Sequence, residues 1–199
     1  MDHDPDWQRL VSRLKAAKTV KVVQYEVGDP ITKDDREILK VMEAVPPPPP
    51  VMRLLEKANG LKLLWNGSPG GHAVQGSINI LPLVQSALRA GATEESAPLE
   101  GVLWNDEYAP AIKKQLQEMA IFEALAGRSA HLTYRVGDKD ARLFLVDDDR
   151  IEALVPDFVT VIGLIERFGG ADGLREHLVH ADWKDRLAKD ETLQAIAAL

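Results

Sequence analysis

The chain has 199 residues, 45% of them hydrophobic and 28% charged, with a formal net charge of −7 and no cysteine. These values are typical of a globular domain with a hydrophobic core, and they exclude wholesale disorder, disulfides and cysteine-ligated metals. The excess of acidic residues argues against a nucleic-acid surface, because binding phosphates requires clustered Lys and Arg. We expect a basic protein partner instead.

The first residues, MDHDPDW, are acidic where a signal peptide would be basic. No apolar run approaches the roughly 18 residues that a membrane span requires. The sequence therefore predicts a cytoplasmic protein that does not bind membranes.

The N-terminal part of the chain alternates helical and strand patterns. Apolar residues at helical spacing predict an amphipathic helix at about 6–17, and the β-branched run VKVVQYEV predicts a strand over 20–27. Thr32 is a suitable N-cap for a helix that runs to about Ala44. Its predicted buried stripe consists of Ile38, Leu39 and Met42.

Five consecutive prolines, Pro46 to Pro50, follow this helix. Such a run favours the stiff polyproline II conformation. Two interpretations stay open: a rigid spacer whose last proline starts the next helix, or a docking site for a partner with an aromatic groove.

The segment VMRLLEKANGLKLLWNG, residues 51–67, predicts a short helix, a stop and a strand. Asn59-Gly60 is typical of a helix end where one residue adopts a left-handed conformation. The alternating GSINIL, residues 76–81, predicts a second strand, so residues 66–76 should form a long hairpin connection.

Beyond this hairpin the pattern predicts a short helix at 82–90, a polar loop at 91–100 and a short strand at 102–104. A longer helix is predicted over 110–125, because apolar residues recur at helical spacing and Pro110 is a good first residue. The residues expected to face inward are Ile112, Leu116, Met119 and Phe122.

The clearest β signal is HLTYRVGDKDARLFLV, residues 131–146, which predicts two strands joined by a loop at 137–140. A short strand at 151–155, a helix between Pro156 and Gly169, and short C-terminal helices complete the pattern. The predicted core contains Leu55, Leu63, Ile80, Leu143, Leu145, Phe158, Ile162 and Ile165.

The order of these elements resembles the SUKH superfamily of Smi/Knr-like domains, which includes cell-wall regulators and many bacterial immunity proteins. The resemblance covers about 32–168 and is carried by the Asn59-Gly60 junction, the GSINILP strand, the segment RLFLVDDDRIEALVPDF and the closing helix DFVTVIGLIERF. It implies a protein that sequesters a toxin without catalysis and without a cofactor.

The pattern and the resemblance agree on an α+β fold with a mostly antiparallel, twisted sheet and helices on one side and at the edges. We expect one domain over 1–199. An N-terminal helix–strand element, 1–31, and a C-terminal helical tail, 169–199, are expected to flank the SUKH-like part.

His177 and His180, three residues apart, are half of a zinc site. A catalytic zinc also needs a third protein ligand and an open position, and no HExxH motif is present. We therefore predict no metal, and keep a small metal-dependent hydrolase as the alternative function. A scaffold that recruits partners through Pro46–Pro50 is a further alternative.

Partner binding is expected at two tryptophans and at acidic loops. Trp65 and Trp104 each lie beside Asn at a strand end, where an indole either packs in the core or anchors a partner. The acidic candidates project from predicted loops and strand ends and would attract a basic toxin domain. They are Asp106, Glu107, Asp147, Asp148 and Asp149.

Overall fold

The computed structural model describes residues 5–89, 110–126, 130–147 and 150–199. Its helices are α1 (Trp7–Ala16), α2 (Lys33–Val41), α3 (Pro49–Leu55), α4 (Leu83–Arg89), α5 (Pro110–Leu116), α6 (Phe158–Arg167), α7 (Leu174–Leu178), α8 (Trp183–Lys189) and α9 (Glu191–Ala197). Its strands are β1 (Val20–Val27), β2 (Leu61–Gly67), β3 (Val74–Ile80), β4 (Met119–Ala124), β5 (Ala130–Arg135), β6 (Leu143–Asp147) and β7 (Arg150–Ala153).

Within the described ranges the strands form one seven-stranded sheet in the order β1-β2-β3-β4-β5-β6-β7, and each neighbouring pair is antiparallel. The prediction of an α+β fold with an antiparallel sheet is confirmed. None of the helices in these ranges combines the length and the apolarity that a bilayer span requires.

Several local predictions are confirmed. The β1 strand has the predicted bounds, and Thr32 caps α2 through a reciprocal capping box with Asp35. Hydrogen bonds from Thr32 hold the pKa of Asp35 below its usual range. Gly60 adopts φ +99°, the left-handed conformation predicted for the stop before β2.

The proline run packs against the rest of the protein and leads into α3. Pro47 and Pro48 are buried, and α3 begins at Pro49. Since a proline in the first turn of a helix loses no hydrogen bond, the run passes into α3 without a penalty. The burial of Pro47 and Pro48 and the start of α3 at Pro49 favour the spacer interpretation over a freely accessible docking site.

The helix predicted over 110–125 is wrong in its second half. The helix α5 ends at Leu116, and Met119–Ala124 forms β4 in the middle of the sheet. Because β4 is buried on both faces, its apolar run carries no strand alternation and resembles a helix segment. The predicted loop at 91–100 and strand at 102–104 lie outside the described residues.

A large hydrophobic cluster fills one face of the sheet, and it contains all eight residues of the predicted core. It also joins residues of α1, α3, α6, α7, α8 and α9 to the strands. A smaller cluster lies on the opposite face, where Leu116 of α5 packs with Met119, Ile121 and Val146. Helices therefore pack on both faces, which corrects the one-sided prediction.

The predicted stripe of α2 is also wrong in part. Leu39 is buried and Met42 is half-buried, whereas Ile38 is 42% exposed. Val41, which is not part of the predicted stripe, is 84% exposed. The helix α2 therefore packs against the rest of the protein mainly through Leu39, and other apolar side chains of this helix lie at the surface.

The segment after α6 inserts into the sheet beside β3. The Ser77 N–H donates to Gly170 O (2.9 Å), and the Asp172 N–H donates to Gln75 O (2.9 Å). The strand β3 pairs with β4 only at Ile80 and Glu123. Residues 170–172 therefore take the place of β4 along the other half of β3.

The Trp65 side chain holds this inserted segment through a hydrogen bond. Its indole is completely buried, and Nε1 donates to Gly169 O (2.6 Å). The ring lies directly over Gly76, where a Cβ atom would come within 2.3 Å of Nε1. Only glycine leaves the indole room at this position.

We predict that Gly76→Ala lowers the free energy of unfolding by about 3 kcal/mol, the upper part of the range for overpacking, because the indole is held by Gly169 and cannot easily retreat. Gly71→Ala is the matched control in the same hairpin. A methyl group there would meet no atom within 4 Å, but the backbone of residue 71 has a positive φ that alanine disfavours. We therefore expect the free energy of unfolding to fall by about 1 kcal/mol. Equal losses in urea denaturation would contradict the close packing of Trp65.

Candidate partner-binding groove

A surface groove of about 500 Å³ opens where the segment before α1, the end of β1 and the end of α3 meet. We call it the β1 groove. Its apolar lining consists of Trp7, Tyr25, Val27, Leu54 and Ala58, and its exposed polar lining includes Asp6 and Lys57. An apolar floor with charged groups at the rim is typical of a recognition site.

Local sequence explains how each lining residue reaches the groove. Asp6 caps α1 by accepting the Arg9 N–H (2.8 Å), which places Trp7 in the first turn. In β1, Tyr25 pairs with Leu63 and Val27 with Leu61, so both lie on the face of the large hydrophobic cluster. Leu54 and Ala58 are one helical turn apart.

The groove is open because β1 is the edge strand and α1 covers only part of its inner face. Val27 is 43% exposed, whereas Trp7 is 7% exposed. The groove therefore offers contact at Val27 and the Tyr25 ring, while the buried side chains of Trp7 and Leu54 form its floor.

Tyr25 combines an accessible ring with an inaccessible hydroxyl. Its Oη is buried and has no hydrogen-bond partner among the described residues. Burial, followed by the negative charge of Asp6, raises the pKa of Tyr25. The hydroxyl is therefore neutral at physiological pH and is no candidate for a general base.

A second cavity of about 330 Å³ lies between α1 and α6, next to Arg9, Arg13 and Arg167. Arg13 donates through Nη2 to Arg167 O (2.7 Å) and to Glu166 O (3.2 Å), which satisfies the last carbonyls of α6. Burial lowers the pKa of Arg13. Because Arg13 bonds to the negative end of a helix, we assign it a structural role.

Of the predicted site residues, Trp65 is placed in the core, so the anchor prediction is wrong for it in this structure. The physical reason is the glycine at position 76, which leaves space for the indole inside the sheet. Asp147 ends β6, where it pairs with Arg150 of β7. The remaining predicted residues, Trp104, Asp106, Glu107, Asp148 and Asp149, lie outside the described residues.

The two histidines have different surroundings. Nε2 of His177 lies 3.0 Å from Oδ2 of Asp190, at the start of α9, and His180 is exposed. Burial acts against ionisation of Asp190, but hydrogen bonds from Leu193 and His177 hold its pKa below the usual range. Across the described ranges, no group of three or more His, Asp or Glu side chains is placed to hold a metal ion.

A buried ion pair between Glu123 and Arg175 is the feature that sequence reasoning missed. Both side chains are almost fully buried, at 0% and 3% exposure. The signal in the sequence was a single acidic residue inside the apolar run MAIFEALA, since a buried carboxylate requires a cationic partner.

Comparison with family models, curated proteins and solved structures finds no match to the chain.

We predict that Tyr25→Phe leaves the free energy of unfolding unchanged or raises it by up to about 1 kcal/mol, because it removes a buried hydroxyl that has no partner in the described residues. The matched control is Tyr134→Phe, since Tyr134 Oη lies 3.3 Å from Ser86 Oγ. Losing that hydrogen bond should cost about 0.5–1.5 kcal/mol. Equal losses in both variants, measured by urea denaturation, would contradict this view of Tyr25.

Proposed function

We propose that the protein is a non-catalytic protein-binding domain of the immunity type, which sequesters a toxin domain by covering its working surface. The observation that carries this proposal is the β1 groove, an apolar floor open to solvent on an otherwise acidic chain. The resemblance to SUKH domains supports the choice of a toxin as partner.

The surroundings of the polar side chains support binding over catalysis. A hydrolase needs a nucleophile or activated water next to a base with a suitable pKa. In the described residues the buried carboxylate of Glu123 is bonded to Arg175, and His177 is bonded to Asp190. These groups have structural partners, so no observation favours the hydrolase alternative.

The groove suits an apolar side chain presented by a folded partner. Binding energy at such interfaces is concentrated in a few anchors that enter preformed pockets, and the exposed rim adds little affinity. The anchor in this complex is therefore a residue of the toxin, and this protein supplies the pocket. Charge acts on the rate of encounter, because the chain carries a net charge of −7.

We predict that Val27→Asp weakens binding to a basic toxin domain encoded by a neighbouring gene at least tenfold, roughly the effect of burying an unpaired charge at a contact. Val155→Asp is the matched control, because Val155 is exposed to a similar degree (48% against 43%) but does not line the groove. Calorimetric titration measures both affinities, and thermal unfolding checks that each variant is folded. Equal effects of the two variants would rule out the groove as the binding site.

We predict that replacing Asp147, Asp148 and Asp149 by Asn slows association with the same partner and leaves dissociation unchanged. These carboxylates would steer a basic domain over distances comparable to the Debye length, which is about 10 Å at 0.1 M salt and about 3 Å at 1 M. The difference between the variant and the natural protein should therefore disappear at high salt. An association rate that is independent of both salt and these residues would exclude electrostatic steering.

A further inference from the structure

The strand β1 is an edge of the sheet. It has eight residues and, among the described strands, pairs with β2 on one side only. No backbone group of residues 21–27 bonds to a loop or a side chain among the described residues. An edge of this length that the described residues leave unpaired is a template for another strand.

The exposed side chains of β1 leave apolar surface along this edge. Val23 is 52% exposed and Val27 is 43% exposed, so apolar surface accompanies the open backbone groups. Lys21 and Glu26 are also exposed, and they carry opposite charges near the two ends of the strand. The outer side of β1 is therefore partly apolar. Its charges are also complementary to those of a second β1 strand that runs in the opposite direction.

We propose that β1 pairs antiparallel with β1 of a second copy of this chain, across a two-fold axis between Val23 and Gln24. This register places Lys21 of each copy opposite Glu26 of the other. It also places Val20 opposite Val27, and Val22 opposite Tyr25. The symmetric dimer therefore gains two cross-strand ion pairs and four apolar pairs from one short sequence.

The faces of the two strands match in this register. Within the chain, Lys21 pairs with Asn66 and Glu26 with Lys62 on one face of the sheet, whereas Val22 and Tyr25 point to the other face. Each proposed pair thus joins residues of the same face. Glu26 would lie between Lys62 of its own chain and Lys21 of the second copy, with Gln24 Nε2 also bonded to it (2.9 Å).

The bulge in β1 is compatible with this symmetry. The register with β2 shifts between Val22 and Gln24, which leaves Val23 as the extra residue. Because the axis passes between Val23 and Gln24, the extra residue of each copy lies opposite Gln24 of the other. Both strands carry the same irregularity at the same place, so the pairing on either side of it keeps its register.

A contact of one strand pair is smaller than a standard interface, so we expect a weak dimer with a dissociation constant on the order of 10 μM. Sedimentation equilibrium of the natural chain from about 1 μM to 1 mM should show a monomer–dimer equilibrium. A chain that stays monomeric over this range would overturn the proposal.

Charge reversal identifies the surface. Lys21→Glu and Glu26→Lys should each weaken self-association by about tenfold or more, because each places like charges opposite one another twice. An equimolar mixture of the two variants should recover dimerisation, since both ion pairs then form between unlike copies. A mixture that stays monomeric would contradict the proposed register.

Two controls separate association from folding. Lys21→Glu faces Asn66 within the chain and introduces no like-charge neighbour there, so it should unfold at the temperature of the natural protein. Its effect on association should shrink at 1 M salt. Lys189→Glu makes the same change on α8, away from β1, and should leave the dimer intact. A dimer that is insensitive to Lys21→Glu uses another surface, which would also overturn the proposal.

Discussion

The fold depends on one buried guanidinium. Arg175 places all five of its N–H donors inside the protein: Nε and Nη2 bond to Glu123, Nη2 also to Ser77 O (3.1 Å), and Nη1 to Gly170 O (2.8 Å) and Ala171 O (3.5 Å). A single side chain thereby joins α7, β3, β4 and the segment that replaces β4 beside β3. A buried charge is tolerated only when it is paired and fully bonded, and both conditions are met here.

The ion pair and Trp65 act on the same segment from two sides. Trp65 holds Gly169 O, and Arg175 holds Gly170 O and Ala171 O. At Gly170 a Cβ atom would lie 2.3 Å from Ser77 O, so the close approach of the two backbones also requires glycine. The C-terminal helices are therefore attached to the sheet by the end of α6, and their apolar residues complete the large hydrophobic cluster.

The sequence predicted helices, strands and their ends well wherever neighbouring residues determine the conformation. The bounds of β1, the left-handed Gly60 and the N-cap at Thr32 all follow from a few neighbouring residues. The strand β4 was missed because a strand buried on both faces has no alternation, and only its neighbours in the sheet distinguish it from a helix.

The candidate site was harder to predict than the fold. Trp65 is buried because of Gly76, and the β1 groove is formed by three elements that are distant in sequence.

A double-mutant cycle on Glu123→Leu and Arg175→Met tests this dependence most directly. Each single change leaves a buried charge without its partner and should lower the free energy of unfolding by about 3–5 kcal/mol. The double variant should lose much less than the sum, with a coupling energy of at least about 2 kcal/mol, whereas the exposed pair of Glu37 and Lys40 should couple by less than about 0.5 kcal/mol. Additive losses at Glu123 and Arg175 would show that the buried pair does not hold the C-terminal helices to the sheet.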